Sequence, residues 1–286
     1  MIDISQKIKQ IESKKRVAFT KKYPIFLPFI LKIKRIYNYI KYTYNYKYVF
    51  SSYTEEKMNN LVTHASPLYR KYNKEELDKG KIENIKIAIK NLDGLVIPPG
   101  KIFSFWKFVK QPSIKRGFKK GLILSDGSLK EDIGGGLCQL SNLFAYMFAC
   151  TECKFIERKH HSKDVFPDSG RTVPFASGAT VFFNLIDLKV KNTYPFPIKI
   201  NTRVTDTQLR GSISAPIQLD YYIKLEQKIH GFVRSVKTGK IYRYNELVRT
   251  FYKKHSKQKI KEEILWHNVA DVMYDEKQIV CNIESL

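Results

Sequence analysis

Gly134-Gly135-Gly136-Leu137-Cys138-Gln139-Leu140-Ser141-Asn142-Leu143-Phe144-Ala145-Tyr146-Met147-Phe148-Ala149-Cys150 is the stretch on which the reading of this fold turns. Three consecutive glycines have no side chains to favour regular structure. After them the pattern becomes helical: Leu137, Leu140, Phe144, Met147 and Phe148 recur at spacings of three and four and form one apolar face. The spacing predicts a helix from Leu137 to about Cys150, entered through a glycine turn. Cys138, Ser141, Asn142 and Ala145 fall on a second face of small and polar groups, which leaves room for a ligand or for partner side chains.

Upstream, Ile82, Ile85, Ile89 and Leu92 have helical spacing within Lys81–Leu92, and Gly94 ends that helix. Leu95-Val96-Ile97 then reads as a short strand running into the turn Pro98-Pro99-Gly100, and Ile102 to Phe105 resumes an extended segment. From Ala179 the pattern becomes β. Ala179 to Phe183, Leu188 to Lys191 and Ile198 to Asn201 read as short hairpin strands, and Gln208 to Ser214 and Tyr221 to Glu226 add to them. Ile241 to Tyr252 carries both strand and helix signals. Residues 1–78 are basic, rich in tyrosine and poor in glycine, and read as helical segments with a turn near Pro67. The expected fold is α+β: a helical basic N-terminal part over 1–78, then a mixed domain over 79–286 with the glycine-turn/cysteine helix and antiparallel strands.

The chain has 286 residues, of which 43% are hydrophobic, enough to bury a sizeable core in one large domain or two smaller ones. The net charge of +24 would draw phosphates, anionic headgroups or nucleic acid, but no zinc-finger spacing or RNP motif accompanies it, so nucleic acid is not an expected partner. Four cysteines, Cys138, Cys150, Cys153 and Cys281, are too few and too irregular for a disulfide framework. Cys150 reads as a core thiol at the end of the apolar helix. A metal site built from Cys150, Cys153, His160 and His161 departs from common zinc spacings, and neither metal nor cofactor is expected.

Met1 to Ser5 lacks the cationic and apolar regions of a secretory signal, so a cytoplasmic location is the expectation. Tyr23 to Ile33 is apolar but short and interrupted by Pro24, Pro28 and Lys32. Flanked by Lys21, Lys22, Lys34 and Arg35, it is compatible with peripheral contact with anionic lipid at the inner membrane face, against the simpler reading of a packed helix.

A cysteine in the first turn of a helix meets free backbone N–H groups and the positive end of the helix dipole, both of which favour a thiolate. Gly134, Gly135 and Gly136 would let a substrate backbone approach, and the amides from Gly136 to Cys138 could receive an oxyanion. A nucleophile needs a base. His160 and His161 lie in Glu157-Arg158-Lys159-His160-His161-Ser162, and adjacent histidines on an extended segment point to opposite sides, so one of the two is expected at Cys138. Asp164, Asp168, Asn184 and Asp187 are the candidates to orient it.

With these residues in place, the chain resembles the VanW-like family. The resemblance rests on Pro99-Gly100-Lys101-Ile102-Phe103-Ser104-Phe105, Gly117, Gly134 to Ser141, Arg158, His161-Ser162, Gly170-Arg171 and Gly178-Ala179-Thr180-Val181, in this order. Many family members read Gly-Arg-Asp-Ala-Thr-Val without interruption. Here Gly170-Arg171 is separated from Ala179, and Gly178 stands in place of the aspartate. The resemblance implies a role in the cell envelope and in glycopeptide response.

Two readings of function follow. In the first, Cys138 is the nucleophile and His161 the base of a thiol-dependent acyl transferase or amidase acting on peptidoglycan-related peptides. Gly134, Gly135, Gly136, Gln139, Ser141 and Arg158 would line its substrate site, Arg158 by pairing with a carboxylate. In the second, the same region binds an anionic envelope precursor or a protein partner without catalysis, the glycine turn serving as an anion nest.

Overall fold

The computed structural model describes residues 4–13, 23–26, 28–30, 32, 33, 36, 37, 40, 58–69, 75–125, 128–165, 167, 168, 172–279 and 281–285. Among them, strands predominate. The helices with defined bounds are α1 (Ile4–Ser13), α2 (Glu75–Ile89), the short α3 (Phe105–Val109) and α4 (Leu137–Ala149); residues 28–30, 32, 33, 36, 37 and 40 are helical as well. The strands are β1 (Asn59–Pro67), β2 (Leu95–Ile97), β3 (Ile102–Ser104), β4 (Lys120–Ser125), β5 (Ser128–Ile133), β6 (Lys154–Glu157), β7 (Lys163–Asp164), β8 (Lys189–Lys191), β9 (Ile198–Val204), β10 (Gln208–Ala215), β11 (Tyr221–Arg234), β12 (Ile241–Lys253), β13 (Lys259–Val272) and β14 (Ile283–Ser285).

These strands form four sheets, ordered β1-β10-β9-β2, β14-β11-β12-β13-β7, β3-β8-β6 and β4-β5. The expected α+β division, a helical N-terminal part followed by a mixed domain, is therefore overturned: among the described residues the architecture is mainly β, with several sheets and few helices. Asn59–Pro67, read from the sequence as helical, is an edge strand antiparallel to β10, with Asn59 opposite Ala215 and Pro67 opposite Gln208. Its strand character comes from this pairing with residues about 150 positions away, which no local pattern announces. Helix α1, at the far end of the basic region, docks on the C-terminal sheet. Ile8 is buried with Val233, Tyr242, Tyr244 and Val269, and Glu12 accepts a 2.7 Å hydrogen bond from the Thr238 hydroxyl.

Ile241 to Tyr252 resolves as the centre of a long antiparallel meander, β11-β12-β13. It is buried on both faces along nearly its whole length, which erases the period of two that marks a half-buried strand. Ala179 to Phe183, expected as a strand, makes only isolated β-bridges, from Thr180 to Lys159 and from Phe182 to Ile186.

The main core joins α2, α3 and α4 to β2, β3, β8, β9 and β10. Phe103, Phe105, Phe144, Phe148, Leu140 and Ile85 are among its fully buried members. The C-terminal sheet meets α4 at its last turn, where Ala149 and Cys150 pack with Leu225 and Leu247. Arg249 of β12 caps that helix end, its guanidinium donating to the carbonyls of Ala149 (3.0 Å) and Cys153 (2.7 Å). The start of α4 is thereby fixed between the hairpin β4-β5 on one side and the loop before β8 on the other.

Candidate functional site

The glycine turn is built by close packing. A methyl group on Gly135 would lie 2.1 Å from the carbonyl carbon and oxygen of Gly121, so β4 runs directly against the turn. Gly136 caps α4 with φ of 90°, a left-handed conformation that other residues resist. Asn84 of α2 fastens the arrangement: its side-chain amide donates to the carbonyls of Lys119 (3.0 Å) and Gly135 (2.9 Å), and its carbonyl accepts from the Lys119 N–H (2.7 Å).

All three glycine amides are engaged internally. Gly134 donates to the Lys119 carbonyl (3.0 Å), Gly135 to Asp132 (3.1 Å) and Gly136 to Leu122 (3.0 Å). An anion nest in this turn has no donors left to offer. The N–H groups of Leu137 and Cys138, by contrast, have no acceptor among the described residues.

Cys138, Ser141, Arg158 and His161 converge on one four-residue segment, Gly178 to Val181. The backbone amide of Val181 lies close enough to the Cys138 thiol to lower its pKa. The Ser141 hydroxyl reaches the Ala179 carbonyl at 2.6 Å. The Thr180 hydroxyl lies 2.9 Å from Nδ1 of His161, and Nε of Arg158 donates to the Gly178 carbonyl at 2.8 Å. Asn142, one turn along α4 from Cys138, completes the set by accepting the Ala179 N–H at 2.9 Å. The small polar face of α4 is thus the face that grips this segment.

The electrostatics set the resting state. Cys138 is half-buried as a residue, and desolvation pushes its thiol above the usual range, opposed by the Val181 amide, so the thiol is protonated at neutral pH. His160 faces away: its Nε2 lies 3.0 Å from the Val269 carbonyl, which requires that nitrogen to carry the proton. The two histidines therefore serve different elements, His160 the C-terminal sheet and His161 the Gly178–Val181 segment. Asp164 and Asp168 pair with the buried Arg243, and the carboxylate of Asp187 accepts from the Ser104 hydroxyl (2.6 Å) and the Trp106 N–H (3.1 Å). The partner the structure supplies to His161 Nδ1 is Thr180.

Two residues expected to line the site, Gln139 and Arg158, also make contacts that tie neighbouring elements together. The amide of Gln139 donates to the Ser66 hydroxyl (3.0 Å) and the Pro67 carbonyl (2.7 Å), tying α4 to β1. Arg158 is held by the carbonyls of Gly178 and Ala176 and by Asn268, and its guanidinium carbon stacks 3.5 Å above the Trp266 ring. Desolvation lowers its pKa to about 9. Cys150 and Cys153 are buried thiols, each pushed up to about 11 by desolvation. Gly170 and Arg171 lie outside the described residues, as do Lys21, Lys22, Lys34 and Arg35 around the short apolar run. Among the described residues no helix is long and apolar enough to cross a membrane.

The structure explains the departure at Gly178. A Cβ there would sit 2.1 Å from Oδ1 of Asn142. The glycine and the Asn142 contact with Ala179 are therefore one device. Sequence reasoning placed Asn142 on the right face but gave it no role, and it missed Asn84 and Arg243 altogether, because their partners lie 35 to 79 residues away.

Comparison with known proteins bears on what this site belongs to. Residues 80–214 match the family model described as VanW like protein. The chain is similar to the vancomycin B-type resistance protein VanW of Enterococcus faecalis, with 31% identity over 196 residues covering 68% of this chain and 70% of that protein. It is also similar to the uncharacterized protein YoaR of Bacillus subtilis, with 27% identity over 164 residues covering 52% of each. No solved structure matches the chain.

Proposed function

This chain belongs to the VanW-like family, and on that premise we propose that it is a vancomycin-resistance-associated protein whose working site is a thiol-dependent acyl transferase or amidase for peptidoglycan-related peptides. The supporting observation is the meeting of Cys138 and His161 on the adjacent residues Val181 and Thr180, beside the two unengaged amides of Leu137 and Cys138.

In this reading the thiol starts neutral. His161 accepts its proton as the sulfur attacks a substrate carbonyl, and the tetrahedral oxyanion is received by the N–H groups of Leu137 and Cys138. The amide C–N bond then breaks, the imidazolium gives its proton to the leaving amine, and a thioester remains for water or a second amine. Asn142 and Ser141 hold the Gly178–Val181 segment in register with α4 throughout. One observation favours the non-catalytic alternative, in which the site only binds an envelope precursor: burial keeps the Cys138 thiol protonated.

Incubation with peptidoglycan stem peptides followed by rapid acid quench and intact-mass analysis tests the proposal. The acyl-transfer reading expects a mass increase equal to the acyl fragment, mapped to Cys138 and absent from His161→Ala. Saturable peptide binding with neither adduct nor turnover would leave the binding reading in its place.

A further inference from the structure

A second feature lies on the far side of Arg158 from the Gly178–Val181 segment. A cavity of about 620 Å³ opens there between β6 and β13, and its walls include Glu152, Lys154, Phe155, Arg158, Arg249, Leu265 and Trp266. Two of these side chains are guanidiniums largely withdrawn from solvent. Arg249 is 5% exposed. The printed contacts of both arginines are with neutral oxygens: Arg158 with Gly178, Ala176 and Asn268, and Arg249 with Ala149, Phe148 and Cys153.

A guanidinium has five N–H donors. Arg249 uses Nε and Nη2, leaving both hydrogens of Nη1 without an acceptor among the described residues. Arg158 keeps one unengaged hydrogen on each Nη by the same count. The nearby carboxylates are occupied. Glu152 accepts from the Tyr221 hydroxyl, and Glu263, whose charge reaches Arg249, is paired with Lys261 at 2.7 Å. Two desolvated cations and the exposed Lys154 therefore share one opening whose single lining carboxylate, Glu152, is engaged by Tyr221, and among the described residues no carboxylate is in hydrogen-bond contact with either guanidinium.

We propose that this cavity is a binding site for the carboxylate of a small ligand carried on an apolar body, such as the C-terminus of a short peptide. The unengaged Nη hydrogens of Arg158 and Arg249 can each donate a charge-assisted hydrogen bond to a carboxylate oxygen. Phe155, Leu265 and Trp266 supply the apolar wall that a compact, strongly hydrated anion such as phosphate would not use. The assignment concerns binding alone and stands apart from the acyl-transfer reading, since it needs no chemistry at Cys138.

Titration of the full chain with N-acetyl-Ala-Ala, followed by tryptophan fluorescence, tests it, because Trp266 forms part of the wall. The expected result is a saturable change with a Kd below about 1 mM, at least about tenfold weaker for the C-terminal amide of the same dipeptide. Inorganic phosphate should compete more weakly than the free acid. Lys154→Glu, at an exposed position that leaves the fold intact, should weaken binding of the acid severalfold. No saturable change, equal affinity for acid and amide, tighter binding of phosphate, or an unchanged affinity in Lys154→Glu would each overturn the proposal.

Discussion

Replacing Gly135 with alanine probes how tightly the glycine turn is locked. The added methyl would lie 2.1 Å from the carbonyl carbon and oxygen of Gly121 and 2.6 Å from its Cα, whereas ordinary contact begins at 3.4 Å. The obstacle is backbone, so relief requires hairpin β4-β5 to retreat by more than an ångström. That movement strains the Gly136 to Leu122 hydrogen bond (3.0 Å) and the Asn84 to Gly135 bond (2.9 Å). Overpacking of this kind costs about 1–3 kcal/mol, and two weakened hydrogen bonds add roughly 1 kcal/mol each. A loss of about 3–5 kcal/mol should lower Tm by on the order of 10 °C in a chain of this size. Gly100→Ala is the comparison: it also sits at a turn, with φ of 72° but nothing within 4 Å, so only the left-handed penalty of about 1–2 kcal/mol applies. Thermal melts of the three proteins, read by far-UV dichroism, decide the matter. A Gly135→Ala melt within about 2 °C of the parent, or a smaller loss than in Gly100→Ala, would refute the reasoning.

Two further predictions concern the segment that α4 grips and the histidine beside it. Gly178→Asp should destabilise by about 1–3 kcal/mol through collision with Asn142. Adding Asn142→Ala should recover part of that loss, and strictly additive urea midpoints in the double-mutant cycle would contradict the coupling. For His160, burial holds the folded pKa below the ordinary 6.5, so the unfolded chain takes up the proton first. Its contribution is nil above pH 6.5 and becomes a loss of stability as pH falls toward the depressed folded value. His160→Gln, which keeps a donor for the Val269 carbonyl, should lose stability less steeply with acid, with His64, also held low by burial, accounting for part of the remaining slope. An identical urea-midpoint slope in parent and variant would count against this account.

How much was legible depended on where the determining contacts lay. Helix α4 could be read because its apolar face and glycine entry are local, and α2 because its isoleucines are spaced for one buried face. Strand β1 could not be read, since its partner β10 lies in the last third of the chain. Strand β12 was ambiguous because burial on both faces removes the alternation a strand would otherwise display. At the site, the motif residues could be named from the sequence, but their geometry could not. The glycine amides looked available and are engaged by the neighbouring hairpin, and the stacking of Arg158 on Trp266 left no trace in the local pattern. The orienting candidates for His161 were three aspartates and Asn184, and the contact that Thr180 makes with its Nδ1 had no motif to announce it.

The most direct test of the central claim is Cys138→Ser, assayed at matched expression by thermal melt and by glycopeptide sensitivity. Serine keeps nearly the same volume and retains a hydrogen-bonding group beside the Val181 amide, so the stability change should stay below about 1 kcal/mol. It cannot supply a thiolate, and its hydroxyl is a far weaker nucleophile. The account predicts an unchanged melt with loss of the resistance-associated phenotype; a serine variant that melts like the parent and retains full function would contradict it.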